Sequence, residues 1–145
     1  MQIRLASVTD VDDLARMNQE FIRDEGHRNP MNLQQLAERM HGWLQGEYTG
    51  VVIAESEQAV GYAIFRHAPD HVYLRQFFIV AEHRRKGIGR QALRWLWDNA
   101  WTDAKRVRID VLIDNHVGQA FWRSVGFADY CLTMEAESPP TSKRN

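Results

Sequence analysis

The segment Arg84-Arg85-Lys86-Gly87-Ile88-Gly89-Arg90 concentrates the residue types that hold anions. Glycines at 87 and 89 let the backbone approach a ligand without Cβ obstruction. The head of a helix adds unpaired N–H groups and the positive end of its dipole. The side chains of Arg84, Arg85, Lys86, Arg90 and Arg94 supply charge, with Glu82 the one acid near them in sequence. Several phosphates would be held better than one. A P-loop needs Gly-x-x-x-x-Gly-Lys-Ser/Thr, which the chain lacks here, so nucleoside triphosphate hydrolysis is not expected. Gly87-Ile88-Gly89-Arg90-Gln91-Ala92 is a relaxed dinucleotide fingerprint with Asp110 about 20 residues on, but that motif follows the first strand of a parallel unit. Here three runs that read as antiparallel strands precede it, and Asp110 falls inside an alternating segment rather than at its end.

Positioning such a loop requires a strand before it and a helix after it, and the pattern supplies both. Val72 to Val80 is rich in β-branched and aromatic residues, while Ile88, Ala92, Leu93, Leu96, Trp97, Ala100 and Trp101 recur at helical spacing. Upstream, Ile3 to Ala6 reads as a strand, and Thr9-Asp10-Val11-Asp12 as a capped helix start. That helix carries Val11, Leu14, Ala15, Asn18, Phe21 and Ile22 on one face and stops at Gly26. Asn32 caps a second helix with a stripe of Leu33, Leu36, Ala37, Met40 and Leu44. Val51 to Glu55, Val60 to Arg66 and Val72 to Val80 form an antiparallel meander. Val107 to Ile113 alternates as a strand, His116 to Val125 is a helix ended by Gly126, and Phe127 to Ala136 is a last strand. The expected fold is α/β, a mixed and mostly antiparallel sheet flanked by helices in the order βααβββαβαβ. Residues 1–136 make one domain in this reading, and 137–145, with Pro139-Pro140, a frayed tail.

The 145 residues leave no room for a second independent domain, and 44% hydrophobic content allows a real core. A net charge of −1 argues against partners recruited by bulk charge, nucleic acid or a membrane surface, so important charge must be local. A single cysteine, Cys131, and the absence of a signal-like start lead to an expected cytoplasmic location. The six histidines form no ligand spacing, and the turn residues Pro69-Asp70 separate His67 from His71, so no metal is expected. Trp43, Trp95, Trp97 and Trp101 exceed what one helix stripe buries, which leaves room for a homodimer patch.

Arg84-x-x-Gly87-x-Gly89, between a strand ending Phe77-Phe78-Ile79 and an amphipathic helix, resembles the acyl-CoA pyrophosphate loop of the Gcn5-related N-acetyltransferase (GNAT) superfamily. A second block agrees: Asn115, Gly118, Phe121, Trp122 and Gly126-Phe127 are similar to that family's later Asn-x-x-Ala-x-x-Φ-Tyr-x-x-x-Gly-Phe pattern, Φ being apolar. The resemblance spans residues 2 to 136. It implies that acetyl-CoA lies where the fourth and fifth strands splay, with the main chain of Phe77 and Ile79 pairing the pantetheine. The N–H groups from Arg85 to Arg90, Ile88 among them, cradle the pyrophosphate, and Asn115 reaches the pantetheine side. Gly118, Phe121 and Trp122 belong to the same implied binding set; Asn115 doubles as a helix cap, and the two aromatics read equally well as core packing.

The implied reaction is attack of a neutral primary amine on the acetyl thioester in a ternary complex, the acceptor being a small molecule or a protein amine. It needs a base, an oxyanion donor and an acid for the thiolate. The Ile79 N–H is the implied oxyanion donor. The sequence departs from the pattern at residue 122, where many relatives hold a tyrosine acid; water, Tyr130 or Tyr73 could replace it, since a thiol titrates near about 8.5. Tyr73 also stands where some protein-acetylating relatives hold a glutamate base. For the amine, Asp24-Glu25-Gly26-His27 offers an acidic edge, with Glu25 or His27 as base. The alternative reading is a non-catalytic acyl-CoA-binding regulatory domain.

Overall fold

The computed structural model describes residues 1–26 and 28–139. They fall into two compact units, Met1–Asn115 and His116–Asn145. In the first unit β1 (Gln2–Leu5) leads through a 3-10 turn at Val8–Asp10 into α1 (Val11–Glu25). The entry is fixed by Asp10, which is buried. Its carboxylate accepts from the Ser7 N–H at 2.8 Å and takes both Arg4 terminal nitrogens, at 2.8 and 2.9 Å. That bidentate pairing outweighs the burial cost and holds the Asp10 carboxyl below its ordinary range. Gly26 ends α1 in the left-handed region, φ 63°, as a glycine stop should. Asn32 starts α2 (Leu33–Gln45) with a full capping box, its Oδ1 accepting from Gln35 N and Gln35 Oε1 accepting from Asn32 N.

β2 (Thr49–Glu55), β3 (Gln58–His67) and β4 (Val72–Ile79) continue the antiparallel meander, and β5 (Val107–Arg108) joins β4 in parallel after α3 (Ile88–Asn99). The sheet order is β1-β2-β3-β4-β5, a mixed, mostly antiparallel sheet flanked by helices. One face packs Val52, Tyr62, Ile64 and Phe78 against Val11, Leu14 and Met17 of α1 and Met40 of α2. Phe21 stacks on Phe78 at 5.2 Å. The other face carries Phe65, edge-on to Trp101 at 5.6 Å, and α3 buries Ile88, Ala92, Leu93 and Leu96. No helix among the described residues is long and apolar enough to cross a membrane.

In the second unit, α4 (His116–Ser124) ends at Gly126, φ 101°. Two expected strands differ. Val107 to Ile113 is a strand only at Val107–Arg108, because its ladder with β4 stops at Tyr73↔Arg108, one residue short of the bulge in β4; Leu112 and Ile113 are exposed. Phe127 to Ala136 forms no strand. Alternating residue types allow a strand but cannot supply the partner whose N–H and C=O groups define one, and residues 128–139 are exposed. The expected tail is described as far as Pro139, without helix or strand.

Gly61 locks β3 to β4. A Cβ there would sit 2.6 Å from the Phe78 carbonyl oxygen and 2.7 Å from Ile79 Cδ1. Gly61→Ala is therefore expected to cost about 1–3 kcal/mol in denaturant unfolding, since backbone must move to admit the methyl; an unchanged midpoint would contradict this packing.

Candidate active site

β4 positions the site through one irregularity. Leu74 pairs with Phe65 and Gln76 with Ile64, so Arg75 is an extra residue in β4. Before the bulge, Val72 donates its N–H to Arg106 on the β5 side at 3.0 Å. Strict alternation would send Val80 the same way, yet Val80 donates to Val60 on the β3 side at 2.8 Å. The bulge has thus exchanged the edges, and Ile79 turns its N–H and C=O away from β3. The parallel ladder ends at Tyr73↔Arg108, so the Ile79 N–H faces the place where the two strands part.

Beyond β4 the chain makes a 3-10 turn at Ala81–His83 and enters α3 at Gly87. Arg85 and Gly87 both have positive φ, 63° and 79°. Gly87 offers α3 no capping side chain, in contrast to the Asn32 box on α2, and nothing lies within 4 Å of where its Cβ would be. The first-turn N–H groups of a helix have no acceptor within it. Here they open onto a loop carrying the exposed side chains of Arg85 and Lys86, the geometry of an anion cradle. Ile88 is buried and anchors that turn, Gly89 is half-buried, and Arg90 is exposed.

Arg84 does something other than join the cradle. Its Nε donates to the Ile79 carbonyl oxygen at 2.8 Å, one terminal nitrogen pairs with Asp24 at 2.6 Å, and its guanidinium lies 5.2 Å from the Phe78 ring centre. It ties the end of β4 to the last turn of α1 and occupies the Ile79 C=O, leaving the N–H as the group on the open edge. Asp24 is thereby spent on Arg84, which corrects the expectation of a two-acid edge facing an amine. Glu25 is half-buried, and desolvation with the Asp24 charge beside it raises its carboxyl above the ordinary range. His27 lies outside the described residues.

Tyr73 donates to Asp110 at 3.0 Å, and burial with that hydrogen bond pushes its hydroxyl up to about 12. Such a phenol donates hydrogen bonds at neutral pH but yields its proton far less readily than a thiol near about 8.5. Phe77 is buried in β4, and Asn115 closes the first unit, its N–H donating to the Leu112 carbonyl oxygen at 2.9 Å. Within the second unit Gly118 is half-buried on α4. Trp122 is buried between Phe121 and Phe127, with ring centres 5.1 and 5.0 Å away, so its indole packs. Tyr130 is 75% exposed, with no desolvated setting for acid chemistry.

A polar cluster lies inside the helical face, beyond what residue spacing alone marks. Tyr62 donates to Gln76 Oε1 at 2.8 Å, and Arg39 donates to Asn18 Oδ1 at 3.1 Å. Arg75 and Gln76, neighbours in sequence, both reach this face because of the bulge. Burial drives the Tyr62 hydroxyl well above its ordinary value, with Arg39 only partly opposing it. A polar Asn18 within the apolar stripe of α1, faced by an arginine in α2, was the available signal.

The sequence of residues 12–127 matches the family model described as acetyltransferase (GNAT) family. The chain belongs to the GNAT acetyltransferases. No curated protein matches it by sequence. Among solved structures, this GNAT chain is similar to a possible acetyltransferase from Clostridium difficile 630, with TM-score 0.78, 16% identity and coverage of 96% of this chain and 97% of that one. It is also similar to a ribosomal-protein-alanine N-acetyltransferase from Brucella melitensis biovar Abortus 2308, with TM-score 0.77, 15% identity and coverage of 94% and 99%. A third likeness is to an aminoglycoside N-acetyltransferase in complex with CoA, with TM-score 0.73, 13% identity and coverage of 96% and 100%. At these identities the likeness establishes the fold.

The raised Glu25 carboxyl makes a signed prediction for this GNAT domain. An acid whose folded pKa lies above its unfolded value, about 4.3, costs nothing below the unfolded value and costs stability as pH rises from there through the folded pKa. Glu25→Gln should match the parent's Tm near about pH 4 and exceed it near about pH 8. A variant less stable than the parent at the higher pH would contradict the assigned environment.

Proposed function

We propose that the protein is an N-acetyltransferase that moves the acetyl group of acetyl-CoA to a primary amine by direct attack in a ternary complex. The observation that carries this reading is the β4 edge. The bulge turns the Ile79 N–H outward just before a loop whose helix begins at an uncapped glycine, so one short stretch of chain carries an amide for the thioester and, at the head of α3, amides for the pyrophosphate. The likeness to a CoA-bound aminoglycoside N-acetyltransferase supports CoA as donor.

Each group then has a task. Phe77 pairs its main chain with the pantetheine amides, and Ile79, its C=O held by Arg84, keeps its N–H for the thioester. The N–H groups of residues 85–90, with the Arg85 and Lys86 side chains, hold the pyrophosphate, and Arg84 keeps Ile79 in place from behind. Asn115, at the end of the first unit, is the pantetheine-side contact. The amine nitrogen attacks the thioester carbon, the Ile79 N–H stabilises the developing oxyanion, and collapse breaks the C–S bond. Glu25, with its raised pKa, takes the proton the nitrogen loses, and water protonates the thiolate.

Acetyl-CoA at about 100 times its Kd should stabilise the protein by roughly 2.7 kcal/mol, or about 5–10 °C in Tm for a chain of this size. Free thiol should then appear when amines are added, and Glu25→Gln should lower kcat/KM by about 100-fold or more. No thermal shift would overturn the reading; a shift with no thiol released by any amine would favour the regulatory domain. Gly87→Ala should cost about 1–2 kcal/mol, from side-chain strain at positive φ, and shrink the acetyl-CoA shift by placing a methyl at the mouth of the cradle.

A further inference from the structure

Two arginines crowd one indole on the helical face of the sheet. Arg39 of α2 has its guanidinium carbon 4.5 Å from the Trp43 ring centre, and Arg75 of the β4 bulge lies 4.8 Å from the same centre. Arg75 also donates to the Tyr48 hydroxyl at 3.3 Å. Among the described residues neither arginine forms an ion pair with a carboxylate. Glu47 pairs with Arg66, and Glu25 is near enough for its charge to act on Tyr62 without pairing. Burial and the Arg75 charge both pull the Arg39 pKa down. Arg39 Nε is buried without a hydrogen-bond partner, while Asn18, only 1% exposed, faces both Arg39 and the Tyr62 hydroxyl.

Stacking accounts for part of this arrangement, at about 0.5–2 kcal/mol per cation over a ring. It does not account for two like charges held together, one of them desolvated, with the Arg39 Nε donor left unpaired at about 1–3 kcal/mol. An oxyanion beside the two guanidiniums would offset their like charges, and Arg75 is exposed, so the cluster is open to solvent. Arg75 stands four residues before Ile79, about 13 Å of strand, a span that an arginine side chain and a small acceptor cover together. We infer that Arg39 and Arg75, framed by Trp43 and Tyr48, bind an oxyanion of the acceptor, which makes the acceptor an amine bearing a carboxylate or phosphate. This rests on the acetyltransferase reading above and narrows it. A polycationic amine meets repulsion at the same place.

The test is calorimetric titration of the intact protein with matched amines: 4-aminobutyrate against butylamine, phenylalanine against phenethylamine, and phosphoethanolamine against ethanolamine, with spermidine as the polycation. At least one oxyanion-bearing member is expected to bind about 10-fold or more tighter than its partner. The pair that responds tells carboxylate from phosphate. Arg75→Gln, an exposed change that the fold should accept, is expected to bring that ratio below about twofold, and Arg75→Lys to retain part of it. Arg39→Gln should act in the same direction if it folds. Equal binding within every pair, tightest binding of spermidine, no binding of any pair, or a preference that survives Arg75→Gln would overturn the inference. Because binding is read without turnover, a protein stabilised by acetyl-CoA but blind to the oxyanion loses only this inference. One that selects oxyanions but ignores acetyl-CoA loses the acetyltransferase reading instead.

Discussion

The bulge at Arg75 is the constraint on which the rest of the molecule depends. A regular β4 would turn the N–H of Ile79 toward β3, where the ladder would consume it. One extra residue exchanges the two edges of the strand, and the amide that follows faces the gap beyond Arg108. The same residue breaks side-chain alternation, so that Arg75 and Gln76 both reach the helical face, one to Trp43 and the other to Tyr62. A single local irregularity thereby sets both the outward-facing Ile79 amide and the charged cluster on the helical face. Its neighbours are built to keep it: Gly61 permits β3 and β4 to approach, and Arg84 pins the far end of the strand to α1.

Much of this was legible in the residues. The glycines and basic residues between 84 and 90 announced an anion cradle, and the caps at Asn32 and Gly26 fixed helix ends to the residue, because those signals are local and chemical. The bulge was not legible, since it depends on how two strands register and leaves the types of Arg75 and Gln76 unremarkable. For the same reason the fifth strand looked longer than it is: Ile109 and Val111 alternate correctly, but β4 gives them no ladder past Tyr73. The side chain of Arg84 was read as a phosphate ligand from its place in the loop, while only the fold could bring Asp24, sixty residues away, to meet it.

Electrostatics divides the molecule in a way its −1 net charge conceals. Arg84 is neutralised by Asp24, and Arg4 by Asp10, whereas the Arg39–Arg75 pair has no such carboxylate among the described residues. Glu25, desolvated and near the Asp24 charge, is held in a form that favours protonation. Arg4 and Arg84 are paired where they serve the fold, while the Arg39–Arg75 pair is held at a cost to stability, as expected where function opposes stability.

The central claim, that the β4 edge after the bulge receives the donor, is tested most directly by residue-resolved amide hydrogen exchange with and without acetyl-CoA. In the free protein the Ile79 amide should exchange faster than that of Val80, which is bonded to Val60. Acetyl-CoA should slow the Ile79 amide together with those of Ile88 and Gly89 at the head of α3. Ile79 exchange that is already slow in the free protein, or that acetyl-CoA leaves unchanged, would contradict the account.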